Sequence, residues 1–207
     1  MAREDAVIVN ALVRQALVAA QEVMGENGLN AVLRASGLER FIGNFPPDDL
    51  NPSIQTSQYA RVNAAIEEFY GRGGPGMLRR IRKASFEYAV REQSALLGVA
   101  GAALKLLPEK QRIKFILTQM VGALKKSNSQ VEAWVEDSGE HVAYLESTCA
   151  ICHSRASEKP LCHLYIGSIG EAVRWATGRE HVITETHCLA KGDPHCRFEV
   201  GEKQDNA

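Results

Sequence analysis

The sequence predicts an α+β domain, with a helical N-terminal half packed on a four-stranded antiparallel sheet laid out as β-β-α-β-β. Three observations carry this. Apolar residues recur at three- and four-residue spacing over residues 1–127, they alternate in short paired runs after Asn128, and turn residues separate the members of each pair. At 207 residues the chain is long enough for one sizeable core and short for two. Residues 1–127 are therefore the helical half, expected to supply a dimer surface and a pocket wall. Residues 128–200 form the metal-binding half of the same domain, and 201–207 a polar flexible tail.

The elements follow in order. Between Asp5 and Met24, Val9, Leu12, Val13, Ala16, Leu17, Ala20 and Val23 fall on one helical face, and Gly25 stops the helix. Asn30 to Ser36 is a short helix closed by Gly37, and Phe45-Pro46-Pro47-Asp48-Asp49 is a loop. A third helix starts after Thr56 or Ser57, either of which can cap it, and ends at Gly71. Another runs from near Gly76 to Leu107. Pro108 then opens the helix Glu109 to Lys126, whose terminal lysines suit the negative pole of the helix dipole. Gln130–Glu136 and His141–Leu145 alternate around Asp137-Ser138-Gly139 and predict a hairpin. Leu164–Thr177 is helical with Gly178 as its stop. His181–Thr186 and Arg197–Val200 form a second hairpin around Lys191-Gly192-Asp193-Pro194.

Composition narrows the function. Hydrophobic residues at 45% and charged residues at 24% describe an ordinary globular domain, which excludes disordered and fibrous classes. With 24 Lys+Arg against 25 Asp+Glu there is no basic footprint for nucleic acid. The longest apolar stretch, Ser94 to Leu107, contains Lys105 and is too short to span a bilayer. Glu4 and Asp5 stand where a signal peptide needs basic residues, so a cytoplasmic location is expected.

All five cysteines lie between Cys149 and Cys196, and all six histidines between His141 and His195. An odd number of cysteines argues against a disulfide framework, and their crowding points to metal or redox chemistry over isolated buried thiols. Two literal motifs carry less. Gly71-Arg72-Gly73-Gly74-Pro75-Gly76 spells GxGxxG, but no strand precedes it to aim a turn at a pyrophosphate. Cys149-Ala150-Ile151-Cys152-His153 spells a c-type haem attachment site, which belongs to exported proteins. The basic residues Arg79, Arg80, Arg82 and Lys83 spread around several helix faces and read as solvated surface.

A stronger constellation lies further on. Glu185, Cys188 and Cys196 share the second hairpin, and Cys162 stands just before the helix that precedes it. Three thiolates and a carboxylate make a closed four-coordinate set suited to zinc. One geometric condition applies: residues three apart on a flat strand face opposite sides, so the strand must end or bulge between Glu185 and Cys188. Lys191, Arg197 and Arg174 are candidates to offset the surplus negative charge.

The run Cys162, Tyr165-Ile166-Gly167-Ser168-Ile169-Gly170-Glu171, then Glu185-Thr186-His187-Cys188-Leu189-Ala190-Lys191-Gly192-Asp193-Pro194-His195-Cys196-Arg197-Phe198 resembles the 4-vinyl reductase domain family. The match is specific over Cys149 to Val200 and weaker over the helical half. The resemblance implies a fold like that of TRAPP-type trafficking subunits, usually dimeric, with a small-molecule pocket between helices and sheet. It places the family's zinc on Cys162, Glu185, Cys188 and Cys196. In aromatic-sensing transcription regulators the domain binds hydrocarbons, and in photosynthetic bacteria its relatives are tied to vinyl reduction on bacteriochlorophyll precursors. The 207 residues hold no ATPase or DNA-binding module, so a stand-alone domain is expected. The extra Cys149-x-x-Cys152 pair makes these two thiols secondary metal candidates and leaves an iron–sulfur cluster open as the alternative to zinc.

Three functions compete. The first is a binding module for a small hydrophobic or aromatic ligand, with Phe115, Trp134, Tyr144 and Tyr165 as candidate pocket residues and with no catalytic residue assigned. The second is an oxidoreductase or accessory protein in vinyl reduction of a tetrapyrrole, which rests on family analogy. The third is a scaffold that presents the Leu96-to-Leu107 face to a protein partner. A homodimer through the small-residue segment Gly98-Val99-Ala100-Gly101-Ala102-Ala103 is expected in the first case.

Overall fold

The computed structural model describes residues 5–92, 104–128 and 130–203. Val7-Ile8-Val9, expected to lie within a helix, instead form strand β1 (Val7–Val9), because three consecutive β-branched residues favour extended backbone. Their partner is β2 (Pro52–Gln55), with Ile8 opposite Ile54 in an antiparallel pair. Helix α1 (Asn10–Ala35) follows at once and is broken at Gly25, whose φ of 73° and ψ of 166° leave the helical region. Glycine alone adopts such a conformation without strain, so the expected stop is a kink from which the helix resumes.

Helix α2 (Thr56–Tyr70) begins with a capping box between Gln55 and Gln58. Asp5 adds to it from across the chain. Its carboxylate accepts from the Ser57 backbone N–H at 2.9 Å and from the Thr56 and Ser57 hydroxyls at 2.8 and 2.6 Å. The glycine run after α2 is a 3-10 turn, Gly71–Gly73, leading into α3 (Gly74–Glu92), which is the helix-stop reading of that motif. The expected continuation to Leu107 cannot be followed, since 93–103 lies outside the described residues, and with it the Gly98–Ala103 segment. Pro108 caps α4 (Glu109–Ser127).

The C-terminal half follows the expected order: β3 (Ala133–Asp137), β4 (Val142–Glu146), α5 (His163–Thr177), β5 (His181–His187) and β6 (Cys196–Lys203). The strands lie in the spatial order β3-β4-β6-β5, every neighbouring pair antiparallel. All of β4 is buried, so its alternation in sequence does not translate into an exposed face. Helix α5 packs on α3, α4 and β5 and joins the two halves. Its Gly167 is required there, because a Cβ would come within 2.9 Å of the Arg79 Cα and carbonyl oxygen on α3. Leu29, Leu33, Leu78, Leu117, Ile169 and Phe198 are almost wholly buried in one continuous core. Each such side chain contributes roughly 1.5–3 kcal/mol through burial.

Candidate metal centre

Four separate segments deliver the five cysteines to one place. Cys149 and Cys152 lie in the loop after β4, and Cys162 is the N-cap of α5. Cys188 follows the end of β5, and Cys196 is the first residue of β6. All five are buried, reduced thiols. Their sulfurs lie at 3.6 Å (Cys149–Cys162), 3.5 Å (Cys152–Cys196), 3.8 Å (Cys162–Cys196) and 3.9 Å (Cys162–Cys188). A tetrahedral ion with bonds of about 2.3 Å to sulfur spaces its ligands about 3.8 Å apart, so the cluster has the dimensions of a metal site. In an iron–sulfur cluster the thiolates bind different irons and must stand further apart.

The local backbone explains the convergence. The ladder between β5 and β6 shifts register between Glu185 and His187, and β5 ends before Cys188. The condition for Glu185 and Cys188 to face one ion is thereby met. Beyond the strand, the Cys188 N–H donates to Asp193 at 2.7 Å, and the Leu189 N–H points at the Cys196 sulfur at 3.4 Å. On the opposite side the loop turns at Ser154, held at φ 56°, and is pinned to α2 by the Arg155–Glu67 ion pair. His153 of the haem-like motif is buried and faces Asp5 at 3.6 Å.

Two groups of four donors arise, each with its ligand atoms within 4.8 Å of one another: Cys162, Glu185, Cys188 and Cys196, and Cys149, Cys152, Cys162 and Cys196. The cluster can therefore hold a metal ion. One Glu185 oxygen accepts from the Cys162 N–H at 2.8 Å, while Oε1 is buried without a hydrogen-bond partner. Burial pushes this carboxyl up to about 8, and the neighbouring thiols, Cys149 first, hold Cys162 and Cys196 well above the usual thiol range. A cation is what such a crowd of donors lacks, since it favours the deprotonated form of every ligand. The expected counter-charges are engaged elsewhere: Lys191 with Asp193, Arg197 with Glu136 and Glu199, and Arg174 with Glu171.

The four candidate pocket aromatics do not gather. Phe115 and Trp134 are 38% and 36% exposed, and Trp134 lies edge-on to His195. Tyr144 and Tyr165 pack with Phe198 in the core, with ring centroids 5.5–6.1 Å apart. The Tyr144 hydroxyl donates at 2.8 Å to Glu146, whose carboxyl burial pushes up to about 7. Glu146 is absent from the sequence-derived site, and its one signal there is a carboxylate closing an apolar strand. An apolar cavity of about 30 Å³ lies instead among α1, α2, α3 and α5. Val13, Leu17, Ile66 and Leu164 line it, with Tyr59 and Asn63 as its polar members.

Residues 144–202 match the family model of the 4-vinyl reductase (4VR) domain, so the C-terminal half carries a domain of this family. An uncharacterized protein of Methanocaldococcus jannaschii is 30% identical over 64 residues, which cover 31% of this chain and 35% of that protein. The chain therefore spans about a third of the length of this curated relative. Among solved structures, the Fe(II) unliganded H-NOX protein from K. algicida superposes with a TM-score of 0.60 at 11% identity, covering 96% of this chain and 98% of that one. An H-NOX protein from S. oneidensis in the Fe(II)NO ligation state gives 0.56 at 11% identity, covering 93% and 99%. At such identities the likeness establishes a common fold. Among the described residues no helix is long and apolar enough to cross a membrane.

Proposed function

We propose that this protein is a small-molecule-binding, sensor-like domain whose ligand is a small hydrophobic or aromatic molecule. In this reading zinc on Cys162, Glu185, Cys188 and Cys196 clamps its C-terminal half. The observation that carries the reading is the position of α5. Its N-cap is Cys162, in the metal cluster, and two residues on Leu164 lines the apolar cavity. A ligand that spreads the helices around Leu164 pulls on the residue that anchors α5 to the cluster. The cavity volume of about 30 Å³ equals roughly one water molecule's share of liquid. An aromatic ligand therefore enters by displacing side chains and shifting helices, which is the response expected of a sensor. The family match over residues 144–202 supports this reading, as does a fold shared with proteins described in an Fe(II)NO ligation state. Four protein ligands leave no open position, so the zinc is structural. Its role is to fix the β5–β6 hairpin to the start of α5.

Thermal unfolding against a panel of aromatics, fatty acids and tetrapyrroles tests the reading. A ligand bound only by the folded form raises the melting temperature with concentration, by about 2.7 kcal/mol of stability at 100 times its Kd. No shift across the whole panel would leave the scaffold reading in its place. The dimer belongs to the same proposal, and a clean monomer by light scattering at micromolar concentration would remove it.

A further inference from the structure

We infer that the cluster holds two zinc ions, the second bound by Cys149 and Cys152 together with Cys162 and Cys196, which bridge to the first. This rests on the metal reading above and adds to it a site that the mononuclear set does not contain. The juxtaposition is direct: the two groups of four donors share Cys162 and Cys196 and no other residue.

Donor number agrees with this arrangement. Two four-coordinate ions that share two ligands need six donors in all. Five cysteines and Glu185 supply six. With a single zinc on the first group, Cys149 and Cys152 are two surplus thiols. Both are nonetheless buried as deeply as the ligands, at 0% and 1% exposure. Their sulfurs approach the two shared cysteines at 3.6 and 3.5 Å, no further than the distances within the first group. Spacing agrees as well. Cys149-x-x-Cys152 is the knuckle spacing that places two thiolates on one tetrahedral ion, and the loop has the turn such a knuckle needs. The Arg155 N–H donates back to the Cys152 carbonyl at 3.1 Å around the left-handed Ser154. Charge agrees too. Six anionic donors around one dication leave a surplus of four in a buried site, and a second dication halves it.

The test uses the full chain, purified without chelator and under reductant, with zinc counted by native mass spectrometry. Two zinc ions per chain are expected, falling to one in the Cys149→Ser/Cys152→Ser variant. A single zinc in the wild type overturns the second site and leaves the mononuclear reading standing, while no zinc, or iron with labile sulfide, overturns both. Cadmium-113 exchanged into the unmodified protein gives a readout independent of any variant. Two resonances split by coupling through a shared sulfur are expected, and a lone or uncoupled resonance would overturn the bridged arrangement.

Discussion

Glu185 turns one carboxylate oxygen onto the backbone N–H of Cys162 at 2.8 Å and leaves the other buried with no partner. The first contact joins β5 to the start of α5, and the second marks where a cation belongs. Replacing the carboxylate with a neutral amide keeps the shape and removes the charge. Glu185→Gln should weaken zinc by at least the roughly 10–100-fold that outer-shell changes cost. Competition with a chromophoric chelator measures this, and unchanged affinity would remove Glu185 from the ligand set.

Glu146 gives the stability a pH dependence. Its carboxyl is raised from 4.5 to about 7 in the fold, chiefly by burial. Between those values the folded state binds more protons than the unfolded state, so stability falls as pH rises through the window. The penalty is complete above about pH 7 and is on the order of 3 kcal/mol. Glu146→Gln should flatten the decline, as read from denaturant midpoints between pH 4.5 and 8. A parallel decline in the variant would assign it to other groups.

Close packing of α3 on α5 depends on Gly167. Gly167→Ala places a methyl against the Arg79 backbone, where no flexible side chain can yield. Overpacking of this kind costs about 1–3 kcal/mol. Denaturant unfolding at neutral pH should show that loss, and a neutral effect would mean the helices part freely.

Filling the cavity separates binding from folding. Ala20 is buried and lines the space. Ala20→Leu should fold with a penalty of no more than about 1–3 kcal/mol and should abolish the ligand-dependent rise in melting temperature. A full rise in the variant would place the ligand elsewhere.

Much of the chain's order was legible because its punctuation is chemical. Gly37, Gly71 and Gly178 each take positive φ at or just beyond a helix end, and Gly25 does so at the kink. The second hairpin and its bulge could be posed as a condition from the spacing of Glu185 and Cys188 alone. What was not legible depends on contacts distant in sequence. Val7–Val9 read as helix because their partners, Pro52–Gln55, are more than forty residues away. The cavity was expected against the sheet, yet it lies among helices, where the meeting of Leu17, Ile66 and Leu164 is set by packing angles that no local pattern encodes. The crowding of cysteines announced a cluster, whereas the sharing of Cys162 and Cys196 between two donor groups is a property of the fold.

X-ray absorption on the purified, unmodified protein tests the central claim most directly. A zinc edge is expected, with a first shell dominated by sulfur at about 2.3 Å and a minor oxygen contribution at about 2.0–2.2 Å. An absent zinc edge, or an iron edge with iron–iron scattering, would contradict it.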